Sequence, residues 1–405
     1  MSSTVDGSRP ARPKDAEASP STTCTSSSLY SADTQHSTRE LLQHLPGRRV
    51  LVTGGCGFIG SCFIRCLLQW GPSDLHVYNV DTLEYCAGAH VSFLTSADNA
   101  SSPIGEMNAE HHHETGVNAR YHFTKGSILD AELLLSIFRT HSIDIVVNMA
   151  AQTHVDKSFT DSLRFTQANV VGTHTLLECA REYGRLTRLL HISTDEVYGE
   201  TVDGNGPATE ADTVLRPTNP YAATKAAAEH LAFAYFHSFH LPVLVSRGNN
   251  VYGPGQYPEK VIPKFITECL RGARMPIQGD GHHQRSFLYV DDVARGLVTI
   301  LTRGELGAAY NVASTREWSV CEVARHVVAC VTGSAAEARR DDFDDVYVRY
   351  VADRAYNDAR YCISNDRLTA LGWVPLVSFG EGLRRTVEWY RTHPLDGGYW
   401  EGNHL

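Results

Sequence analysis

Two adjacent acidic residues, Asp195 and Glu196, follow a short apolar run in the sequence HISTDEVYGE, residues 191–200. The run at residues 189–192 is short and bounded like a buried strand, so the two carboxylates are expected at the edge of a core. Because removing a carboxylate from water is costly, an acid pair in such a place is a candidate for proton transfer. Ser193 and Thr194 directly precede the pair and add two hydroxyl groups.

Tyr221 and Lys225 form a second group that could do chemistry. They are four residues apart in the predicted helix NPYAATKAAAEHLAFAYFHSF, and this spacing places both side chains on one helix face. The positive charge of a lysine beneath a tyrosine is expected to lower the phenol pKa. The tyrosine is then suited to take the proton of an alcohol while hydride leaves the same carbon.

A glycine triplet, Gly55, Gly57 and Gly60, lies between a predicted strand and a predicted helix in RRVLVTGGCGFIGSCFIRCLLQW. Glycines permit a tight turn and let a pyrophosphate approach the backbone N–H groups of a helix N-terminus. Asp81 ends the second predicted strand, in the place where an acidic residue binds a ribose 2′-hydroxyl. Since a carboxylate there repels a 2′-phosphate, the pattern favours NAD over NADP.

Predicted strands alternate with predicted helices, which favours an α/β fold with a Rossmann-type, doubly wound parallel sheet. We expect residues 46–245 to form the NAD-binding domain and residues 246–395, where the alternation loosens, to form mainly a smaller C-terminal lobe. Residues 1–45 are rich in Ser, Thr, Pro, Ala and Asp and poor in aliphatic residues, so we expect a disordered tail. Residues 96–117 are polar and irregular, and we expect a surface insertion there.

The composition of the 405 residues narrows the class of partner. A net charge of −10 and a pI near 6.0 argue against a nucleic-acid or anionic-membrane surface. The 10 cysteines include no CxxC pair, and no metal site is expected. Without an apolar run of 18 residues or a signal peptide, we expect a cytoplasmic protein with no membrane contact. The ending Asn403-His404-Leu405 is a distant variant of the peroxisomal tripeptide and leaves import as the minor alternative.

Taken together, these motifs resemble the extended short-chain dehydrogenase/reductase superfamily. Within it, the sequence is similar to the nucleotide-sugar 4,6-dehydratases of the dTDP-glucose 4,6-dehydratase group. The resemblance covers about residues 48–391 and depends on TGGCGFIGS, VVNMAAQTHVDKSF, STDEVYG, NPYAATKAAAE, NNVYGPGQYPEKVIPKFI, FLYVDDVARG and DRAYNDARY. It implies a larger NAD-binding lobe, a smaller lobe that grips the nucleotide diphosphate of an NDP-glucose, and a homodimer.

The resemblance also implies a role for each catalytic residue. Asp195 would protonate the departing C6 hydroxyl, and Glu196 would remove the C5 proton. Thr194 would hydrogen-bond the C4 oxygen, while Tyr221 with Lys225 would take the C4 hydroxyl proton.

The implied binding residues fall into two sets. The cofactor set is Gly54, Gly57, Phe58, Ile59, Gly60, Asp81, Ser127, Ile128, Ala150, Ala151 and Asn169, together with Tyr221 and Lys225. The substrate set is Thr153, His154, Asn250, Lys260, Arg285, Asn311 and Arg354.

Three features depart from the group's pattern, and one is the insertion around residues 96–117, which is longer than usual. Ala355 stands where proline is usual, next to Arg354, and Ser127 stands where an Asp commonly contacts the adenine edge.

Several alternatives stay open. The sequence does not separate dTDP-glucose from UDP-glucose. A 4-epimerase or a sugar-acid decarboxylase could use the same scaffold, although Asp195 favours a dehydratase because loss of the 6-hydroxyl needs an acid. A non-catalytic NAD-binding regulatory protein is the alternative of another class.

Overall fold

The computed structural model describes residues 32–87, 119–201, 206–211, 214–354, 356–393 and 395. The strands are β1 (Arg49–Thr53), β2 (His76–Asp81), β3 (Tyr121–Lys125), β4 (Ile145–Asn148), β5 (Arg188–Thr194), β6 (Val243–Gly248), β7 (Asn250–Tyr252), β8 (Met275–Gln278), β9 (Gln284–Tyr289), β10 (Ala309–Val312), β11 (Glu317–Ser319) and β12 (Val348–Val351). The helices are α1 (Ala32–Gln43), α2 (Phe58–Trp70), α3 (Ala131–His141), α4 (Val155–Thr160), α5 (Ser162–Phe165), α6 (Gly172–Tyr183), α7 (Pro220–Phe239), α8 (Val261–Leu270), α9 (Val290–Arg303), α10 (Val320–Thr332), α11 (Ala335–Ala338), α12 (Phe343–Tyr347), α13 (Asp366–Ala370) and α14 (Phe379–Thr392). A π-helical turn covers Thr166–Val171, and a 3-10 turn covers Asp195–Tyr198.

Seven strands form one parallel sheet in the order β10-β6-β5-β4-β1-β2-β3. The central strands are apolar on both faces because helices cover both faces. One core packs α1, α2 and α9 against the sheet, and a second core packs α3, α6 and α7 against the other face. The predicted doubly wound fold is confirmed, and the strand order reverses between β1 and β4, where such sheets bind ligands.

A smaller body follows the first six strands. Its sheets are β11-β9-β7 and the parallel pair β12-β8, and α8, α10 and α14 supply the apolar residues of its core. Between β9 and β11 the chain returns to the large sheet, since α9 packs on α2 and β10 pairs with β6. The domain limits at residues 245 and 246, which fall inside β6, stay a prediction.

The predicted disordered tail is wrong over residues 32–45. Residues 32–43 form α1, and the side chains of Leu42 and Leu45 are 0% and 4% exposed in the core shared with α2 and α9. Three leucines at positions 41, 42 and 45 offset the ordering entropy of this helix, although the average composition of residues 1–45 is polar. The remainder of the predicted tail and the insertion at residues 96–117 lie outside the described residues.

In the part of the chain that the structure describes, none of the helices combines the length and the apolar character that a membrane span requires.

Candidate active site

A cavity of about 700 Å³ opens at the carboxyl ends of the large sheet's strands, between this sheet and the smaller body. It brings together most of the predicted site residues. Those that line it are Gly54, Gly57, Phe58, Ile59, Gly60, Asp81, Ser127, Ile128, Ala150, Ala151, Thr153, His154, Thr194, Glu196, Tyr221, Lys225, Asn250, Lys260, Arg285 and Arg354.

The glycine turn between β1 and α2 forms one end of the cavity. Gly54 has a φ of +71°, and a Cβ built there would lie 2.7 Å from the backbone of Ala150. A Cβ at Gly60 would lie 2.5 Å from the carbonyl oxygen of Gly54. Helix α2 begins at Phe58 with no side-chain cap, so its first N–H groups are left for an anionic ligand. This cradle fits a dinucleotide pyrophosphate.

Asp81 is fixed at the end of β2 beside this turn. Its carboxylate accepts the backbone N–H of Cys56 at 2.9 Å and that of Leu83 at 2.8 Å. Burial raises its pKa above the ordinary value, and the two backbone hydrogen bonds oppose that rise. Each oxygen keeps a second lone pair that can accept from a ribose hydroxyl, and this contact stays a prediction.

The acid pair lies in the 3-10 turn directly after β5. Asp195 is 3% exposed and accepts hydrogen bonds from the Thr194 hydroxyl at 3.2 Å and from Asn249 Nδ2 at 2.8 Å. Burial, with a further contribution from the charge of Glu196, raises the pKa of Asp195 to about 7. At neutral pH this carboxyl group therefore holds its proton for a large part of the time, which suits a general acid.

Glu196 lines the cavity and accepts a hydrogen bond from Asn219 Nδ2 at 2.9 Å. Burial raises its pKa, while the Asn219 hydrogen bond and the charges of Arg285 and Lys260 lower it. The two adjacent carboxyl groups thus have different partners, which is how neighbouring acids come to take different roles.

Tyr221 and Lys225 project from the first two turns of α7 into the cavity. Lys225 Nζ donates to the carbonyl oxygen of Ile192 at 2.6 Å, and burial lowers its pKa to about 8. The predicted lowering of the Tyr221 pKa is wrong for the protein alone. Burial and then the charge of Glu196 raise the phenol pKa, and the hydrogen bond with Thr194 only partly opposes them.

Cationic side chains from the smaller body line the opposite end of the cavity. Lys260 Nζ donates to the Thr153 carbonyl oxygen at 3.0 Å. Arg285 donates to the Asp358 carbonyl oxygen at 2.7 Å, and Arg354 donates to Gln278 Oε1 at 3.0 Å. Three cations around one opening favour a polyanionic group such as a diphosphate.

Comparison with known proteins identifies the family. Residues 51–386 match the model of the family described as GDP-mannose 4,6 dehydratase. The chain belongs to this family. The dTDP-D-glucose 4,6-dehydratase of Mus musculus is 40% identical over 344 residues, which cover 85% of this chain and 89% of the mouse protein.

A solved structure and a plant protein are similarly related. The dTDP-glucose 4,6-dehydratase DesIV of Streptomyces venezuelae, whose structure contains NAD, is 38% identical with a TM-score of 0.73, and the match covers 87% of this chain and 99% of DesIV. A trifunctional UDP-glucose 4,6-dehydratase/3,5-epimerase/reductase of Arabidopsis thaliana is 40% identical over 348 residues, or 86% of this chain. The chain spans about half the length of that plant protein, since the match covers 48% of it.

Three predicted site residues do not line the cavity. Asp195 lies just behind its wall. Asn169, in the π-helical turn, bonds both the N–H and the carbonyl of Gln152 and the hydroxyl of Thr224 on α7, so it holds the wall and not a ligand. The predicted substrate contact of Asn311 is wrong, because this side chain is fully buried on β10 and bonds Tyr198 and the Ala208 carbonyl.

The structure adds two residues that the motifs did not identify. Asn219 caps α7 by accepting the N–H of Ala222 at 2.8 Å, and its amide group also donates to Glu196. Asn249 donates to Asp195 and accepts the N–H of Ser314 at 3.0 Å. The sequence signal for Asn219 was the Asn-Pro that begins α7, a typical N-cap followed by proline at the first helical position.

Two remaining observations concern the other departures and metal binding. Ala355 lies outside the described residues, while Ser127 lines the cavity and its hydroxyl accepts the N–H of Leu129 at 3.2 Å. Over the described ranges, no group of three or more His, Cys, Asp or Glu side chains is arranged to hold a metal ion.

Proposed function

We propose that this protein is an NAD-dependent nucleotide-sugar 4,6-dehydratase that converts dTDP-glucose or UDP-glucose to the NDP-4-keto-6-deoxyglucose and water. The observation that carries the proposal is the acid pair next to Tyr221 and Lys225. Glu196, Tyr221 and Lys225 line the cavity, and Asp195, with a pKa of about 7, lies directly behind the wall in contact with Thr194, which does line it. An oxidation alone would need only the tyrosine and lysine. Elimination of water needs one more acid and one more base, and the pair supplies both.

The proposed mechanism assigns one task to each residue. Bound NAD would supply reversible hydride transfer, from C4 of the sugar and later to C6. Tyr221 would take the proton of the C4 hydroxyl, and Thr194 would hydrogen-bond the C4 oxygen. Glu196 would then remove the C5 proton, which the neighbouring ketone makes acidic. Asp195 would protonate the C6 hydroxyl as it leaves as water. Glu196 would return its proton to C5 when hydride is delivered to C6.

The two ends of the cavity would hold the two ligands. The glycine turn, Asp81 and the residues after β3 and β4 fit NAD, and NAD is present in the related DesIV structure. Lys260, Arg285 and Arg354 would bind the diphosphate of the sugar nucleotide. Asn250 also lines the cavity and would lie near the diphosphate with Lys260, while Thr153 and His154 would contact the sugar.

Product analysis tests the proposal. The purified protein is incubated with NAD and either dTDP-glucose or UDP-glucose, and a 4-keto sugar is detected by the absorbance that alkali induces. Competition between the two substrates then shows whether the protein prefers the dTDP sugar or the UDP sugar. Formation of an epimer or a decarboxylated sugar, or binding of NAD without any turnover, would contradict dehydration and support one of the alternatives above.

We also propose a homodimer. Leu163 on α5 is 81% exposed and Val171, at the end of the π-helical turn, is 40% exposed, and contact with a second copy would remove their apolar surface from water. Light scattering should give about twice the chain mass of 44.7 kDa. Leu163→Glu should lower that mass toward the monomer, and an unchanged dimer would place the interface elsewhere.

A cytoplasmic location stays a prediction. The cysteines of the described residues are all free, which is expected of a reducing compartment.

A further inference from the structure

A buried ion pair lies behind the active site, between the helix and the strand that flank it. Arg247 on β6 is 5% exposed and Glu229 on α7 is 0% exposed. The Arg247 guanidinium donates to both oxygens of Glu229, through Nε at 3.2 and 3.0 Å and through Nη2 at 2.7 Å. Neither residue lines the cavity.

Each member of the pair is next to catalytic residues. Glu229 follows Lys225 by four residues, so both occupy the same side of α7. Arg247 is paired in register with Ser193 on β5, and Gly248 is paired with Thr194. The pair therefore connects the helix that carries Tyr221 to the strand that ends at the acid pair.

Tyr198 extends this connection to the 3-10 turn. Arg247 Nη1 donates to the Tyr198 hydroxyl at 2.7 Å, and the same hydroxyl donates to Asn311 Oδ1 at 2.9 Å. Tyr198 is the last residue of the turn that begins with Asp195 and Glu196. One guanidinium thus bonds α7 and the acid-bearing turn at the same time, and Asn311 connects the turn to β10.

Stability alone is a weak reason for such a pair. Removing two charges from water costs about as much as their attraction returns, and apolar residues of similar size often stabilise a core equally well. A bidentate guanidinium, however, fixes distances and angles between elements, which an apolar contact does not. We propose that Arg247 and Glu229 are positioning residues, which hold Tyr221 and Lys225 on α7 at the correct distance from Asp195 and Glu196. This inference rests on the proposed dehydratase function.

The test replaces both charges at once by Glu229→Leu/Arg247→Met, so that no lone charge stays buried. The double variant should melt close to the native temperature, because its core remains filled. Its kcat should fall about 100-fold, the scale of a misplacement of about 1 Å, while KM changes less than about 3-fold since neither residue touches substrate. Tyr198→Phe removes the hydroxyl that bonds Arg247 and Asn311 but keeps the Arg247–Glu229 pair, and it should give a smaller loss of kcat.

The single variants Arg247→Met and Arg295→Met form a matched control. Arg295 on α9 makes a comparably buried ion pair with Asp292 at 2.6 Å, and neither of these residues lines the cavity. Both single variants should lose stability, and only Arg247→Met should also lose kcat. Equal losses of kcat in the two variants, or a double variant with native kcat, would overturn the proposal.

Hydrogen exchange provides a readout that does not depend on turnover. In the double variant the amides of residues 195–198 should exchange faster than in the native protein, and in Arg295→Met they should not. Unchanged exchange in the double variant would overturn the inference, even if the native protein made no 4-keto sugar and the proposed function had failed.

Discussion

Asp195 and Glu196 are adjacent in sequence but occupy different surroundings. Asp195 is enclosed behind the cavity wall, where Asn249 and Thr194 donate to it, and its pKa of about 7 lets it carry a proton. Glu196 faces the cavity, and burial raises its pKa above the ordinary value, while the Asn219 hydrogen bond and the charges of Arg285 and Lys260 oppose that rise. The division of labour between acid and base therefore follows from burial and from neighbouring charge, not from the residue types.

Glu196→Gln should separate the two halves of the reaction. The amide keeps the size of the side chain but cannot remove the C5 proton, so elimination should slow by about 10²-fold or more while C4 oxidation persists. Reduced nicotinamide should accumulate and be visible by absorbance. Tyr221→Phe is the control and should show no reduced nicotinamide. Native-rate turnover, or continued exchange of the C5 hydrogen with deuterated solvent, would assign the base to another group.

Asp195→Asn should have opposite effects on activity and on stability. Dehydration should be lost, because the amide cannot protonate the leaving hydroxyl. The folded pKa of Asp195 is raised from 3.8 to about 7, so the stability linked to this group is complete below 3.8 and is lost as the pH rises through about 7. The variant should therefore melt several degrees above the native protein at about pH 8 and much closer to it at about pH 4. Equal melting temperatures at both pH values would show that Asp195 is not buried as an acid.

At the scale of elements, the sequence predicts most accurately where a periodic pattern and a glycine turn coincide. The strand–turn–helix unit around Gly57 and the placement of Asp195 after β5 follow from such signals. The position of Asn311 does not, because β10 is buried on both faces and no polar–apolar alternation shows which side chains point to the cavity. The raised pKa of Tyr221 could not be predicted from the sequence either. Helix spacing predicts the neighbours of a side chain but not the depth of its burial.

Helix α1 provides a test of the corrected N-terminal boundary. Leu42→Ala should lower the free energy of unfolding by about 2–5 kcal/mol, because it removes a fully buried side chain from the core beneath α2 and α9. Glu40→Ala, on an exposed position of the same helix, is the matched control and should have little effect. Both variants should keep native kcat. A Leu42→Ala variant that unfolds at the native denaturant concentration would show that α1 does not contribute to the core.

At the scale of the whole molecule, the two bodies contribute different charges to one cavity. The large sheet supplies Asp81 and Glu196, while Lys260, Arg285 and Arg354 come from the smaller body. The protein carries a net charge of −10, so attraction of a diphosphate depends on this local cluster and not on the overall field. The two ligands should consequently respond to substitutions in different bodies.

Arg354→Met should weaken binding of the nucleotide diphosphate and leave NAD binding unchanged. The side chain lines the cavity and is held there by Gln278 and by an ion pair with Asp156 at 3.3 Å. Loss of one charge-assisted bond should raise the Kd for UDP or dTDP by about 10- to 100-fold.

Arg349→Met removes the same charge from an exposed position on the nearby strand β12 and is the matched control. Arg349 does not line the cavity, and dissolved salt screens the charge of an exposed side chain over about 10 Å. The control should therefore bind both ligands as the native protein does. Titration calorimetry with UDP, dTDP and NAD measures all three affinities. An equal loss of UDP affinity in both variants would mean that the smaller body attracts the diphosphate by its general charge, and that Arg354 does not contact it.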